Sequence, residues 1–326
     1  MTIDWSWLIC GPVVKGRFDE RLQDKENVSE HFVVFKGFFL IHTLWNKVDA
    51  MMQFSVLMSV YKSDKADEVA NALDSILNQT IKPDQIVLVL DGPVTNELHE
   101  TIEKYSTENN IIDVVALEKN VGLGMALSIG LTHCNYEYVA RMDSDDFSLP
   151  DRFEKQVSYL EAHHEIDVLG GQIAEYDSTM KNELAVRTVP KTMEEISKRM
   201  KIRNGMNHVT VMYKKSSVLN AGNYQHCPYF EDYYLWCRML KAGYKFHNLD
   251  SVLVNVRTGE GMYQRRGGKV YNDAIKGFQK KILDLGIISR AQYLKNLTVR
   301  LCVANMPNSL RGYLYKTKLR SQSGND

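Results

Sequence analysis

No stretch of this sequence is apolar for long enough to cross a lipid bilayer, which takes about 18 residues. The nearest candidate, residues 31–45 (HFVVFKGFFLIHTLW), is shorter and is interrupted by Lys36 and His42. The N-terminus also lacks the apolar core and small-residue cleavage pattern of a secretory signal. We therefore expect neither a membrane span nor a secretory signal.

Cysteine motifs are missing as well. The chain has five cysteines, an odd number, and none of them belongs to a C-x-x-C pair. This pattern fits neither a disulfide framework nor a zinc site. It favours a reducing compartment, so we expect a cytoplasmic protein.

Neither sign of charge is in excess. Lysine plus arginine and aspartate plus glutamate number 40 each, which gives no reason to expect a nucleic-acid partner. Apolar residues make up 44% of the chain and charged residues 25%, as in ordinary globular proteins. With 326 residues, the chain has room for one large α/β domain with extensions.

Apolar runs alternate with helical patterns from residue 53 onward. Predicted strands cover 53–61, 85–90, 112–117, 136–142, 166–173 and 208–213, with one or two more in 245–256. Predicted helices cover 69–77, 97–105, 124–134, 193–200 and 232–242, and the chain is expected to be helical after residue 268. This alternation predicts an α/β fold, a mainly parallel sheet flanked by helices, with ligands at the carboxyl ends of its strands.

An acidic cluster follows the predicted strand 136–142. In RMDSDDF, the carboxylates of Asp143, Asp145 and Asp146 lie within four residues and repel one another unless a cation offsets their charge. Oxygen ligands of this kind suit Mn²⁺ or Mg²⁺. The alternative is a solvated acidic turn in which Asp146 or Asp151 caps the helix that begins at Pro150.

Five segments, in order, resemble the inverting nucleotide-sugar glycosyltransferases of family two, which have the GT-A fold. These segments are SVLMSVYKSD, QTIKPDQIVLVLDGP, NVGLGMALSIGL, DSDD and YFEDYYLWCRMLKAGY. The match runs from Phe54 to Arg257 and includes the order and spacing of the segments, so it is more specific than any one motif. The Q-x-x-R-W motif of processive members is missing after Asp232, which implies that one sugar is added per encounter.

The resemblance implies roles on the donor side of the site. Asp145 would hold the Mn²⁺ or Mg²⁺ ion that bridges to the donor diphosphate, with Asp143 beside it for the metal or the ribose. Tyr61 and Asp91 would contact the nucleotide. Many members have two adjacent aspartates at the end of the second strand, whereas this chain has Leu90 and Asp91. A nucleoside diphosphate leaving group develops negative charge, which such a cation offsets.

On the acceptor side, the resemblance implies that Asp232 is the base that removes the proton of the acceptor hydroxyl, with Glu231 supporting or orienting it. The alternative for Asp232 is a carboxylate that stabilises a helix dipole. His208 either faces the donor or acceptor cleft or is a hydrogen-bonded structural residue, and we expect the second.

The segment VRTGEGMYQRRGG carries Arg257, Arg265 and Arg266 among glycines. Arginines in a glycine-rich loop suit diphosphate binding, because the backbone approaches closely and the guanidinium group matches phosphate oxygens. A solvated loop is the alternative.

The C-terminal tail is basic and contains no acidic residue from Leu285 to Asn325. Leucines and valines recur among its cations, as in a segment that lies on an anionic membrane surface at the inner face of the membrane. A helical cap over the domain would produce the same pattern.

Residues 1–50 show no clear periodicity. Two possibilities stay open: an accessory segment, or an upstream reading of the start codon with Met51 or Met52 as the true initiator. In either case we expect poor packing. We divide the chain into an N-terminal extension (1–50), a GT-A glycosyltransferase domain (51–260) and a basic helical C-terminal segment (261–326).

The sequence therefore predicts an inverting glycosyltransferase that moves one sugar from a nucleotide-diphosphate sugar to a hydroxyl of a glycan or lipid-linked glycan, in bacterial polysaccharide or lipopolysaccharide biosynthesis. A nucleotidyltransferase is the first alternative, but it needs a glycine-rich basic loop after the first strand, where this chain has YKSDKADE. A noncatalytic nucleotide-sugar-binding module is the second, and the set of acidic residues disfavours it.

Overall fold

The computed structural model describes residues 52–258 and 268–307, all of which belong to one compact unit that begins at Met52. The expectations for residues 1–50, for Arg265 and Arg266, and for the tail after residue 307 lie outside the described residues. No described helix is both long and apolar enough to cross a membrane.

The first half alternates strands with helices, as the sequence predicts. Its strands are β1 (Phe54–Val60), β2 (Gln85–Leu90), β3 (Ile112–Ala116) and β4 (Tyr138–Met142). Its helices are α1 (Ala66–Leu77), α2 (Asn96–Glu108) and α3 (Leu123–His133). The apolar runs of β1 and β2 are buried on both faces because helices cover the sheet from either side.

The second half contains shorter and more irregular elements. Its strands are β5 (Phe147–Ser148), β6 (Val168–Tyr176), β7 (Glu183–Arg187), β8 (Met212–Lys214) and β9 (Phe246–Arg257). Its helices are α4 (Arg152–Ala162), α5 (Met193–Met200), α6 (Lys215–Asn220), α7 (Glu231–Lys241), α8 (Gly268–Asp284) and α9 (Arg290–Ala304).

The described strands form one sheet in the order β3-β2-β1-β4-β8-β6-β9-β5, and β7 pairs with the later residues of β6, beyond those that pair with β8. Strands β1 to β4 pair in parallel, whereas β8 is antiparallel to both of its neighbours. Alternate residues of β1 enter different cores: Leu57 packs with the α3 side, while Val56 and Met58 pack with the α1 side. The predicted fold class is confirmed.

The predicted strand 208–213 is wrong for its first half. His208–Thr210 forms a 3₁₀ turn, and β8 begins only at Met212. The hydroxyl of Thr210 donates to the carbonyl of Asn207 (2.8 Å) and accepts from the N–H of Gly171 (3.0 Å). Such local bonds from a threonine side chain compete with the regular pairing of a strand.

Helices α8 and α9 pack against α7 and against the residues that precede it in the chain. Phe278 of α8 stacks on Phe230 and lies against Tyr233, with ring centroids 4.6 Å apart in both pairs. In α9, Asn296 is buried and donates to the carbonyl of Lys201 (2.8 Å). The helical prediction for this segment is confirmed over the described residues, and the helices form part of the same unit as the sheet.

Candidate active site

The acidic loop leaves β4 at the carboxyl edge of the parallel strands. Arg141, the fourth residue of β4, is buried, and its guanidinium group forms an ion pair with Asp143. Burial opposes the charge of Arg141, but the carboxylate of Asp143 raises its pKa and keeps it cationic. One buried cation therefore lies directly behind the three carboxylates.

Arg257 contacts the other two aspartates of the loop, the carboxylate of Asp146 and the backbone of Asp145. Asp146 is buried and accepts the backbone N–H of Arg257 (2.8 Å). The guanidinium group of Arg257 donates to the backbone carbonyl of Asp145 (3.1 Å) and lies 3.5 Å from the carboxylate of Glu68. Arg257 therefore fixes the backbone of the acidic loop.

Negative charge accumulates around Asp145. Burial raises its pKa to about 6, and the charges of Asp143 and Asp64 add to the rise. Burial also raises the pKa of Asp64, although Asp64 accepts the backbone N–H of Tyr61 (3.0 Å) and the hydroxyl of Ser144 (2.9 Å). A divalent cation would relieve this repulsion, so the residues present fit Mn²⁺ or Mg²⁺.

A complete protein-only metal site is not present among residues 52–258 and 268–307: no group of three or more His, Cys, Asp or Glu side chains is arranged to hold an ion. Asp145, with Asp143 beside it, would hold such a cation, and phosphate and water oxygens would supply its remaining ligands. The carboxylate oxygens of the acidic loop therefore suit a metal ion that binds together with a phosphate ligand.

The helix-capping alternative receives no support from the contacts of the loop. Asp151 occupies the N-cap position of α4, but its side chain makes no capping hydrogen bond. It pairs instead with Lys155 (2.7 Å). Asp146, the other candidate, binds the backbone of Arg257.

Asp91 holds the loop that leads into α3. Its carboxylate accepts the N–H groups of Val121 (2.6 Å) and Gly122 (3.0 Å) and the amide of Asn120 (2.9 Å). Asp91 is itself buried, with 4% of its surface exposed, and these bonds take three of the about four lone-pair positions of its carboxylate. The next residue, Gly92, has a φ of +85°, and a Cβ there would lie 2.5 Å from the backbone nitrogen of Asn120. Only glycine permits this close approach.

Tyr61 is 36% exposed and follows β1 at the same edge of the sheet. Its ring is therefore accessible to a flat ligand such as a nucleobase.

The second pair of predicted carboxylates begins α7. Glu231 lies against the start of α3, where a Cβ on Gly124 would be 2.9 Å from the Cβ of Glu231. Burial raises the pKa of Glu231 to about 7, and the charge of Asp232 contributes. Asp232 is half-buried, and burial raises its pKa as well.

Asn204 orients Asp232, and the sequence offers no signal for it. Its Oδ1 accepts the N–H of Met206 (3.1 Å), so its Nδ2 points the other way and donates to the carboxylate of Asp232 (2.6 Å). This bond lowers the pKa of Asp232 and partly offsets the effect of burial.

One cleft of about 400 Å³ joins the two groups of carboxylates. Asp143 and Asp146 from the acidic loop line it, and so does Asp232 from α7. His208 also lines the cleft, where its Nε2 lies 2.9 Å from the hydroxyl of Tyr224. Burial and the nearby charge of Arg141 lower the pKa of His208 well below its usual value, so this histidine is neutral and hydrogen-bonded, as expected.

Removing the bond between Asn204 and Asp232 is expected to change the pH profile of the reaction. If Asp232 is the base that the family resemblance implies, it acts only when ionised, and activity should rise with pH through its pKa. In Asn204→Ala that pKa rises further, which moves the acidic limb of kcat/KM to higher pH and lowers the rate along that limb roughly 10-fold. Asn204→Asp adds a like charge and should move the limb further.

The control for this prediction is Asn182→Ala. Asn182 donates to the carboxylate of Asp177 (2.6 Å) in an exposed loop, so the variant removes the same type of bond far from the cleft. Its pH profile should match that of the wild type. If the acidic limb of kcat/KM lies at the same pH in both Asn204 variants as in the wild type, Asn204 does not affect the pKa of the base.

Comparison with known proteins gives a consistent result. The family model described as Glycosyl transferase family 2 matches residues 55–223. The chain is 37% identical over 266 residues to the amylovoran biosynthesis glycosyltransferase AmsE of Erwinia amylovora, covering 81% of this chain and 98% of that protein. It is 34% identical over 272 residues to an Escherichia coli enzyme named UDP-Gal:alpha-D-GlcNAc-diphosphoundecaprenol beta-1,3-galactosyltransferase, covering 83% and 98%.

Among solved structures, residues 1–349 of S. aureus TarS in complex with UDP-GlcNAc are similar in fold. The TM-score is 0.57 at 20% identity, and the match covers 77% of this chain and 72% of that one. At this identity the likeness concerns the fold alone.

Proposed function

The chain belongs to glycosyl transferase family 2, and we propose that it is an inverting, metal-dependent member that moves one sugar from a nucleoside-diphosphate sugar to an acceptor hydroxyl. It is a glycosyltransferase whose relatives include enzymes of bacterial polysaccharide biosynthesis. The family assignment favours sugar transfer over the nucleotidyltransferase alternative.

The observation that carries this proposal is the shared cleft. Asp143 and Asp146 enter it from the end of β4, and Asp232 enters it from the start of α7. Its volume of about 400 Å³ falls in the range of ordinary ligand sites and has room for a sugar. A leaving group on one side and a base on the other is the arrangement that an inverting displacement requires.

In the proposed reaction, the acceptor oxygen forms a bond to the anomeric carbon while the bond from that carbon to the diphosphate oxygen breaks. Asp232 takes the hydroxyl proton, and the nucleoside diphosphate leaves with the electron pair. Mn²⁺ or Mg²⁺, held by Asp145 with Asp143 beside it, would neutralise the charge on the leaving group. Glu231 supports the base from the neighbouring position.

The nucleotide would lie at the ends of β1 and β2. Tyr61 offers an accessible ring there, and Asp91 keeps one acceptor position while it holds the loop before α3. Arg257 acts on the donor site through the backbone of the acidic loop that it binds. Arg265 and Arg266 remain proposed ligands of the diphosphate.

For the whole chain, we keep residues 51–260 as the catalytic domain and 261–326 as a C-terminal segment that contributes to the cleft. We propose a glycan acceptor carried on a lipid, because a relative of high coverage is named for a diphosphoundecaprenol-linked acceptor. With such an acceptor, we propose that the protein works at the cytoplasmic face of a membrane.

The function is tested by incubating the purified protein with a panel of nucleotide sugars and Mn²⁺ and measuring the nucleoside diphosphate that is released. We expect turnover with one donor and its loss when EDTA removes the metal. Turnover that persists in EDTA would contradict the metal dependence. No release with any donor, in the presence of acceptor extracts, would favour the noncatalytic binding module.

Membrane contact is proposed through the outer face of α9. Leu294 is 63% exposed and Val299 is 55% exposed, with the cation of Lys295 between them. Such a face suits a surface rich in anionic lipid. In the variant with Leu294→Glu and Val299→Glu, retention on vesicles of phosphatidylglycerol and phosphatidylethanolamine should fall roughly 10-fold.

The control for this prediction is Leu184→Glu, which adds a charge at an apolar residue of β7 that is 48% exposed. It should leave retention unchanged. Equal retention of the wild type and the α9 variant in co-sedimentation would contradict membrane contact through α9.

A further inference from the structure

Three arginines among the described residues line the cleft and have no part in the roles assigned above: Arg187, Arg203 and Arg300. They come from separate places in the chain, namely the end of β7, the loop after α5, and α9. All three are half-buried. Three guanidinium groups from distant parts of the sequence thus meet in one cleft.

The three cations lie around the start of α7. The guanidinium group of Arg300 is 5.7 Å from the ring centroid of Phe230 and 5.9 Å from that of Tyr233. Burial raises the pKa of Tyr233, and the charges of Arg300 and Arg203 partly offset that rise, so both are close to it. The charge of Arg187 acts in the same direction on the pKa of Asp232.

Arg300 keeps much of its hydrogen-bonding capacity. Its hydrogen bond within the described part of the chain goes from Nη2 to the carbonyl of Ile202 (2.7 Å). Its other contacts there are with aromatic rings. A guanidinium group has five N–H donors in a planar fork, which matches the oxygens of a phosphate group. The contacts of Arg300 with the aromatic rings do not use its N–H groups as conventional hydrogen-bond donors and leave donors for such a ligand.

The position of Arg187, Arg203 and Arg300 indicates that they lie on the acceptor side of the cleft rather than on the donor side. In an inverting displacement, the base lies on the face of the sugar opposite the leaving diphosphate. Cations next to Asp232 are therefore on the acceptor side, whereas the donor diphosphate belongs at the acidic loop near Asp145. Three guanidinium groups at this place suit an anionic group on the acceptor.

We propose that Arg300, Arg203 and Arg187 bind a phosphate or diphosphate group of the acceptor, so that its sugar hydroxyl is held at Asp232. The inference rests on the proposed function and deepens it, since it makes the acceptor a sugar linked through phosphate. The reacting bonds are those given above, and the acceptor phosphate is unchanged by the reaction.

Binding of decyl diphosphate tests the cluster without requiring turnover. Calorimetry is done on the full-length protein in EDTA, so that a metal-bridged donor site does not hold the probe, and decyl glucoside serves as the uncharged comparison. The wild type should bind decyl diphosphate and not the glucoside. Arg300→Ala and Arg203→Ala should each weaken binding roughly 10-fold or more, and Arg300→Lys should weaken it less.

Two controls show whether the probe binds at this cluster or elsewhere on the protein. Lys276→Ala removes an exposed cation of α8 outside the cleft and should bind the probe like the wild type. Asp145→Ala should also bind it normally, because the probe does not occupy the donor site. Thermal melting shows whether each variant is folded, and Arg203, which lies in a loop, provides a second test if Arg300→Ala does not fold.

The outcomes are distinct. If the wild type does not bind decyl diphosphate, or if the arginine variants bind it equally well, the arginines do not bind an acceptor phosphate. This conclusion would hold even if sugar transfer is demonstrated. With active enzyme and natural acceptor, the arginine variants should raise the KM of the acceptor and leave that of the donor unchanged. A rise in donor KM alone would place the arginines in the donor site and overturn the proposal. A failed donor panel would contradict the proposed function instead.

Discussion

Asp232→Asn is expected to reduce sugar transfer roughly 10³-fold while leaving the fold intact, because an amide does not accept the proton of the acceptor hydroxyl. The substitution preserves the shape of the side chain, and its oxygen still accepts the bond that Asn204 donates. The loss should fall on kcat, with the KM of the donor unchanged. Released nucleoside diphosphate measures the rate, and circular dichroism checks the fold.

Glu231→Gln provides the comparison for this prediction. Glu231 is adjacent to Asp232 at the start of the same helix, and burial raises its pKa to about 7. Asp232 lines the cleft, whereas Glu231 lies against the start of α3, which suits Glu231 to a supporting role. We expect its loss to cost at most about 10-fold. If Glu231→Gln were the more damaging variant, the two roles would have to be exchanged.

The pH dependence follows from the same assignment. Burial raises the pKa of Asp232 above its usual value. An acid whose ionised form is active gives a rate that falls as pH decreases through this raised pKa. The decline should therefore begin at a higher pH than an ordinary aspartate would give, and kcat/KM measured in the wild type reports it directly.

The regular helices and strands are predictable where the apolar pattern of the sequence matches the burial of the residues in the fold. Strand β2 is continuously apolar and is buried along its whole length, so its predicted bounds are confirmed without error. Helix α5 is equally clear: Thr192 caps it and forms a capping box with Glu195. The strand of only two residues, β5, gives no periodic pattern and is not predicted.

The candidate site is predictable only where a motif carries it. The acidic loop and the pair Glu231 and Asp232 lie at family spacing. The structure brings Asp143 and Asp146 of the loop and Asp232 of the pair to one cleft, whereas Asp145 and Glu231 are not among the residues that line it. The partners of these groups are separated from them in sequence. Asn204 is 28 residues from Asp232, so its hydrogen bond exists only in the folded chain.

The contacts of Arg257 and Arg300 also form only in the folded chain and are not predictable from the sequence. The glycine-rich surroundings of Arg257 predict a diphosphate ligand. In the fold, its guanidinium group donates to the backbone carbonyl of Asp145, and its backbone N–H donates to the carboxylate of Asp146, 111 residues away. Arg300 belongs to a basic tail in which the sequence does not distinguish one cation from another. Its place in the cleft depends on how α9 packs against α7.

Asp145→Ala is expected to abolish metal-dependent transfer, with a loss of roughly 10³-fold or more. The wild type should melt at a higher temperature when Mn²⁺ and its nucleoside diphosphate are added together, because both bind only the folded state. That increase should be absent in the variant. Without ligands, the variant should be at least as stable as the wild type, since burial and the charges of Asp143 and Asp64 act against the ionised form of Asp145.

Asp151→Ala is the matched control, because it removes a nearby carboxylate that is 46% exposed and pairs with Lys155 rather than facing the cluster. It should keep both the transfer rate and the ligand-induced increase in melting temperature. The contrast separates a metal ligand from a general loss of negative charge. If Asp145→Ala melted well below the wild type without ligands, its carboxylate would be a structural element of the loop, and loss of activity would say nothing about the metal. If it kept the Mn²⁺-dependent increase, the ion would have to be held elsewhere in the acidic loop, with Asp143 the first residue to test.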